Sequence, residues 1–198
     1  MQDLSVAVVG VTGAVGTEFL RIAEQRYAKL PYVKALASSR SAGKRISFGD
    51  RELVVEEASE ESFAGIDVVF ISVSSEVSLR LGPAAVAAGA VVIDDGSAFR
   101  MRDTVPLVVP EVNGADVEWH QGIISIPNCS TTPLAMVAHP LHQVNPIVRI
   151  IADTYQSVSG AGGAPVVELR GQSRDMLDGK AANPQALDHQ IAFNVIPR

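Results

Sequence analysis

The one cysteine of the chain, Cys129, stands in the run Ile126-Pro127-Asn128-Cys129-Ser130-Thr131-Thr132-Pro133, whose Ser/Thr residues and early proline mark the start of a helix. At such a start the open N–H groups and the helix dipole favour a thiolate, and the same amides can hold an oxyanion on a carbonyl under attack. The chemistry this suits is nucleophilic catalysis through a covalent sulfur adduct. A lone cysteine is also commonly an inert, buried small hydrophobe; here the polar flanks favour reactivity. A second constellation lies at Gly10, Gly13 and Gly16, spaced Gly-x-x-Gly-x-x-Gly around Thr12, Ala14 and Val15, between an apolar run and a helical one. A tight turn there lets backbone N–H groups and a helix N-terminus meet a pyrophosphate, although close helix packing alone also calls for glycine.

A dinucleotide site that selects an unphosphorylated ribose carries a carboxylate about 20 residues beyond its glycines. Here that place reads Ser38-Ser39-Arg40-Ser41-Ala42-Gly43-Lys44. With no acid present and Arg40 at hand, a 2′-phosphate is expected, held by charge-assisted hydrogen bonds, so the expected cofactor is NADP. A solvated surface arginine is the other reading. Ser72 follows an apolar run where further cofactor contacts are expected, though serines at strand ends are ordinary turn residues. His139 and His142 are three apart on an expected helix, with no third ligand and no His-Glu-x-x-His pattern, so no metal is expected.

These residues need a scaffold, and the hydrophobic periodicity supplies one. Val6 to Val9 is a continuous apolar run ended by Gly10, as in a central parallel strand covered on both faces. A helix is expected over Gly16 to Ala28, closed by Pro31, and a second strand over Val33 to Ala37. Further strands are expected at Glu52 to Glu56, Val68 to Ser72 and Val91 to Asp94, with an alanine-rich helix from Glu76 to Ala88 between the last two. Beyond them the pattern predicts a strand at Ile123 to Ile126, a helix at Thr132 to Val144, a strand at Val148 to Tyr155 and a helix at Ala164 to Leu177. This is an α/β chain: a Rossmann-like parallel-sheet domain over residues 1–130, followed by an incomplete α+β catalytic or dimerisation domain over 131–198.

Composition narrows the function classes. At 198 residues and 47% hydrophobic against 19% charged, the chain can bury a core and is too apolar for disorder. A net charge of −6 without a basic face argues against nucleic acid as a partner. A single cysteine excludes an intrachain disulfide and thiolate-rich zinc sites. With neither a secretory leader nor an uninterrupted membrane-length apolar stretch, a cytoplasmic location and no membrane partner are expected.

Taken together, Gly10-Val11-Thr12-Gly13-Ala14-Val15-Gly16, Ser38 to Lys44, Asp95 to Arg100, Pro106 to Asn113, Pro127 to Pro133 and Thr154 to Gly162 resemble the aspartate-β-semialdehyde dehydrogenase family across essentially the whole chain. The resemblance implies an NADP-dependent oxidoreductase that reduces L-aspartyl-4-phosphate to L-aspartate 4-semialdehyde, releasing phosphate, in lysine, threonine and methionine biosynthesis. It implies Cys129 as the nucleophile that carries a thioester, Gln156 as the residue that orients the substrate, Asn128 at the thioester carbonyl and Arg100 on the phosphoryl group. Gly10, Thr12, Gly13, Ala14, Val15, Gly16, Ser38, Arg40, Ser41, Ser72, Ser159 and Gly160 are the expected NADP contacts, and a homo-oligomer, dimer or tetramer, is the expected assembly.

Family members are longer, and the stretch that would hold their acid/base histidine and a second substrate arginine lies past the region of Phe193 to Pro197. None of His120, His139, His142 and His189 stands in that motif, so a truncated or fragmentary chain, inactive by itself, is expected. An N-acetylglutamyl-phosphate reductase-like enzyme and a non-catalytic NADP-binding module are the alternatives.

Overall fold

The computed structural model describes residues 4–27 and 32–197, so Pro31 and the expected helix end at Ala28 lie outside the described residues. The chain divides into two units, Met1–Ala152 and Asp153–Arg198. The first opens with β1 (Ser5–Val9), α1 (Ala14–Arg26) and β2 (Tyr32–Ala37), the expected βαβ unit. It continues through β3 (Arg45–Phe48), β4 (Arg51–Val54), β5 (Glu56–Glu57), β6 (Val68–Ile71), α2 (Ser75–Ala87) and β7 (Val91–Asp94). A short α3 (Pro110–Asn113), β8 (Ile123–Ser125) and α4 (Thr131–Val144) complete it.

The six strands of the main sheet run in the order β5-β2-β1-β6-β7-β8, all parallel. Its two faces explain why β1 is apolar throughout. Val6 and Val8 join Leu20 and Ala23 of α1 in one core cluster, while Ala7 and Val9 join Leu81 and Ala85 of α2 in the other. Alternate residues of a strand face opposite sides, so a strand sandwiched between helix layers has no polar face. Phe19 of α1 stacks on Phe70 of β6 with ring centroids 4.2 Å apart, which fixes the helix over the sheet centre.

Two of the expected strands change. The strand expected over Glu52 to Glu56 is split: β4 pairs antiparallel with β3, and only Glu56–Glu57 joins the main sheet. The β3–β4 hairpin turns through Gly49, at φ 60°, and Asp50, and its register puts Ile46 opposite Leu53, both packed against the α1-side cluster. Val148 to Tyr155 is not a strand; it is extended chain with Val148, Ile150, Ile151 and Tyr155 exposed. Its β-branched residues favour a pleated backbone, but no described strand pairs with it, and unpaired backbone does not make a sheet.

The second unit holds α5 (Gly163–Leu177), whose inner face ties down the chain that follows. Gln172 is buried, and its Oε1 accepts from the Ile191 and Ala192 amides at 3.0 and 3.2 Å. One turn earlier, Glu168 accepts from the Gln185 and Ala186 amides and from Gln172 Nε2. The Ala186 amide foremost, with the other donors, holds the Glu168 carboxyl below its usual range. A carboxylate lowered by folding stabilises the fold above its unfolded pKa and loses that contribution as pH falls through the lower folded value. Acid titration followed by NMR should therefore release the Gln185 and Ala186 amide shifts below the ordinary glutamate range, and Glu168→Gln should remove that transition.

Among the described residues no helix is long and apolar enough to cross a membrane.

Candidate active site

At the carboxyl end of the sheet, β1 lies between β2 on one side and β6 on the other, the point where chain direction across the sheet reverses and a crevice opens. The glycine turn sits at its edge. Gly10 has φ 89°, and its amide and that of Val11 both donate to Leu36 O at 2.9 and 3.1 Å, which ties the turn to the end of β2. A Cβ on Gly10 would stand 2.2 Å from Ser72 O, and one on Gly16 would stand 2.3 Å from Gly10 O. Both glycines are thus required by close approach: one lets the β1 and β6 loops touch, the other lets α1 start against the turn. Thr12, Gly13, Ala14 and Val15 are exposed, and no side chain caps α1 at Gly13, so the helix start faces solvent with its amide dipoles unscreened.

Beside this turn, residues Ser39–Ser41 form a 3-10 turn entered from Ser38. Thr12 Oγ1 donates to Ser41 Oγ at 3.3 Å and Lys44 Nζ to the same oxygen at 3.4 Å, so the loops after β1 and β2 meet. Ser38 and Arg40 are exposed at this meeting point. From the other flank, Ser72 donates from its amide to Val9 O at 3.0 Å and from Oγ to Asp95 Oδ2 at 2.9 Å, and Ser75 Oγ lies 3.1 Å from Ser97 Oγ. Asp95 has no role in the sequence reading beyond membership of a motif. The signal that points to it is its place at the end of β7, one residue past a strand that borders the crevice.

Arg100 bridges two loops: Nε donates to Ile126 O at 2.9 Å and Nη2 to Asp95 O at 2.7 Å. Its guanidinium is thereby held in one plane between the turn after β7 and the chain leaving β8. Three residues on from Ile126, Cys129 is exposed, and its Sγ donates to Asn128 Oδ1 at 3.7 Å. That oxygen also accepts from the Ser130 amide at 3.1 Å and Ser130 Oγ at 2.8 Å, while Asn128 O accepts from Thr131 N and Thr132 N. Asn128 therefore closes the turn into α4 and sets the cysteine at the helix entrance. The loops after β1, β2, β6, β7 and β8 bring Gly10 to Gly16, Ser38 to Ser41, Ser72, Arg100, Asn128 and Cys129 to the carboxyl ends of neighbouring strands.

Gln156, Ser159 and Gly160 belong to the second unit. Gln156 is exposed, with Nε2 donating to Thr154 Oγ1 at 3.4 Å. Ser159 and Gly160 lie in the 3-10 turn Val158–Ala161, whose entrance is capped by Ser157 Oγ accepting from the Ser159 amide. Among the described residues, no cluster of three or more His, Cys, Asp or Glu could hold a metal ion; His142 Nδ1 instead accepts from Ile147 N at 3.0 Å.

The family model for the semialdehyde dehydrogenase NAD-binding domain matches residues 5–120, and that for the semialdehyde dehydrogenase dimerisation domain matches residues 139–198. The chain belongs to the semialdehyde dehydrogenase family. Among semialdehyde dehydrogenases, the aspartate-semialdehyde dehydrogenase of Synechocystis sp. is 45% identical over 99% of this chain and 58% of its own length. The crystal structure of aspartate semialdehyde dehydrogenase II from Vibrio cholerae, complexed with ASA, has a TM-score of 0.95 at 38% identity and is matched over 100% of this chain and 60% of that one. The Candida albicans enzyme solved with NADP has a TM-score of 0.64 at 29% identity, over 73% of this chain and 48% of that one. The chain spans about three-fifths of the length of the semialdehyde dehydrogenases it matches.

Proposed function

We propose that the chain carries the cofactor site and the nucleophile of an NADP-dependent aspartate-semialdehyde dehydrogenase, a cytoplasmic enzyme that reduces L-aspartyl-4-phosphate to L-aspartate 4-semialdehyde for lysine, threonine and methionine biosynthesis. The observation that carries this reading is the glycine turn and the Asn128–Cys129 helix entrance at the carboxyl ends of one parallel sheet. The ligands of two solved relatives, ASA and NADP, support the substrate and the cofactor. Gly10, Thr12, Gly13, Ala14, Val15 and Gly16 fit a pyrophosphate, since side-chain bulk is absent where the β1 and β6 loops touch and the α1 start is open. Ser38, Arg40 and Ser41 hold the 2′-phosphate; Ser72, Ser159 and Gly160 complete the cofactor contacts.

Bound NADPH supplies the hydride. The chain's own work is acyl transfer. The Cys129 thiolate attacks the acyl carbon, a C–S bond forms, the C–O bond to the phosphoryl group breaks, and phosphate leaves with the electron pair. Arg100, fixed at Nε and Nη2, has Nη1 to meet the phosphoryl oxygens, and a planar fork suits that group. Asn128 donates from Nδ2 to the thioester carbonyl, and Gln156 orients the substrate. After reduction at that carbon the C–S bond breaks, returning the thiolate and releasing the aldehyde. The exchange also needs one proton moved, a step suited to a general acid/base.

We place the functional division at 130/131, between a cofactor domain and the first part of a catalytic and dimerisation domain; the matched spans 5–120 and 139–198 support it. The dimerisation-domain match supports a homo-oligomer, dimer or tetramer. Leu134, Met136, Val137, Leu141 and Val144 on α4 are exposed, and apolar surface of that kind favours association. Sedimentation should show self-association at micromolar concentration; a monomer that unfolds cooperatively with high stability contradicts it.

The test of substrate is protection of Cys129 from iodoacetamide: aspartyl phosphate should protect, and N-acetylglutamyl phosphate should not. The reverse order would favour the longer acid. For cofactor choice, Arg40→Ala should weaken NADPH binding by about 10- to 30-fold, the loss of one charge-assisted phosphate contact, and leave NADH binding unchanged. A variant that keeps the full preference for NADPH overturns the Arg40 assignment.

A further inference from the structure

Beneath the crevice, the sheet buries a group of polar side chains that the proposed chemistry does not use. Ser78, Asp94 and Ser125 are each fully buried. No hydrogen bond of ordinary geometry reaches either serine hydroxyl or either Asp94 oxygen among the described residues, although Ser78 Oγ and the Gly96 amide lie near enough to act on the carboxyl. Asp94 ends β7 and pairs in parallel register with Ser125 of β8, so both side chains project from the same face of the sheet. Val92, two residues before Asp94, lies in the cluster with Leu81 and Ala85 of α2, which identifies that face. Ser78 precedes Leu81 by one turn along the buried side of α2. Gly96 lies against the same group: a Cβ on it would stand 3.1 Å from Asp94 Oδ1, 3.4 Å from Ser78 Oγ and 3.7 Å from Asp94 Oδ2. Ser78 of α2 and Asp94 of β7 therefore meet beside Gly96, with Ser125 of β8 next to Asp94 on the same face of the sheet, below the turn that carries Arg100.

Buried polar atoms without partners are costly, and sealed sites that are polar on several sides take up ordered water, which donates two hydrogen bonds and accepts two. We propose that Ser78, Asp94 and Ser125 form an internal hydration site, in which one sequestered water bridges the three side chains and fastens the Asp95–Arg100 turn to α2 and β8. Asp94 is then a positioning residue: it holds the backbone from which Asp95 O receives Arg100 Nη2, next to the chain whose Ile126 O receives Arg100 Nε. Burial, opposed by the Ser78 hydroxyl and the Gly96 amide, raises the Asp94 pKa; the charges of Asp95 and Arg100 act on it in opposite senses. A carboxyl in its acid form can donate to such a water as well as accept from it.

Two readouts test the site on the full chain. A high-resolution crystal structure should show solvent density within hydrogen-bond distance of Asp94 and at least one of the two serines. Hydrogen exchange at the Arg100 Nε–H, followed in 15N-arginine spectra, reads the positioning. Asp94→Asn, which keeps donor and acceptor, should leave that exchange within about twofold of the parent. Ser125→Ala and Asp94→Val should speed it about tenfold, the factor one buried hydrogen bond carries. If Asp94→Val does not fold, Ser78→Ala and Ser125→Ala carry the comparison. Serine hydroxyls bonded directly to Asp94 with no solvent between them overturn the hydration site, and unchanged Arg100 exchange in folded alanine variants overturns the positioning role.

Discussion

Mixed with L-aspartyl-4-phosphate in the absence of NADPH, the chain is expected to gain the mass of one aspartyl group, and Cys129→Ala is expected to gain none. The physical ground is the placement of the thiol. Cys129 is exposed at the entrance to α4, with Asn128 organising the turn around it. A thiolate is the stronger nucleophile and the better leaving group, so splitting acyl transfer through sulfur lowers a barrier that a serine hydroxyl at the same place would not. Cys129→Ser should accordingly lower the acylation rate by about 10³-fold or more. Hydroxylamine should strip the adduct from the parent chain, as it does a thioester. An adduct of equal yield on Cys129→Ala would move the nucleophile elsewhere.

The second large effect is expected at Gly10. Any side chain there must adopt φ near 89° and place its Cβ 2.2 Å from Ser72 O, a backbone atom held by the β1–β6 pairing. Positive φ alone costs about 1 kcal/mol or more for a residue with a Cβ, and displacing packed backbone costs about 1–3 kcal/mol further. Gly10→Val should therefore lower the thermal midpoint by many degrees and abolish nucleotide binding. Gly43→Ala is a useful control: φ is 83°, yet nothing lies within 4 Å of the added Cβ. It should carry only the conformational cost and keep most of the binding. Calorimetry of both variants separates strain from collision.

The parts of this fold that are legible in sequence are those whose pattern and partners are local. β1, α1 and β2 follow from an apolar run, a glycine turn and a helical period, because each residue's environment is decided within a few positions along the chain. The start of α4 is legible for the same reason, through its Ser/Thr caps and proline. The β3–β4 hairpin also carries a signal, Gly49-Asp50 between Arg45-Ile46-Ser47-Phe48 and Arg51-Glu52-Leu53-Val54, a two-residue turn flanked by alternating residues; reading Glu52 to Glu56 as one strand merged two short ones. Val148 to Tyr155 fails for a different reason. Strand propensity is a local property, whereas strand pairing depends on a neighbour that local pattern does not reveal. The candidate site divides in the same way. Gly10, Gly16 and Cys129 announce themselves by type and spacing, whereas Asp94 and Ser125 matter only through a register between strands about thirty residues apart in sequence.

The most direct measurement of the central claim is a titration of the chain with NADPH, with NADH as control, read by the fluorescence of Trp119, the only tryptophan, and of the nicotinamide. Saturable binding with NADPH preferred over NADH by at least about tenfold is the expected result, since the glycine turn would hold the pyrophosphate and Arg40 the 2′-phosphate. Equal affinity for the two nucleotides, or no binding by a chain shown by circular dichroism to be folded, would contradict it.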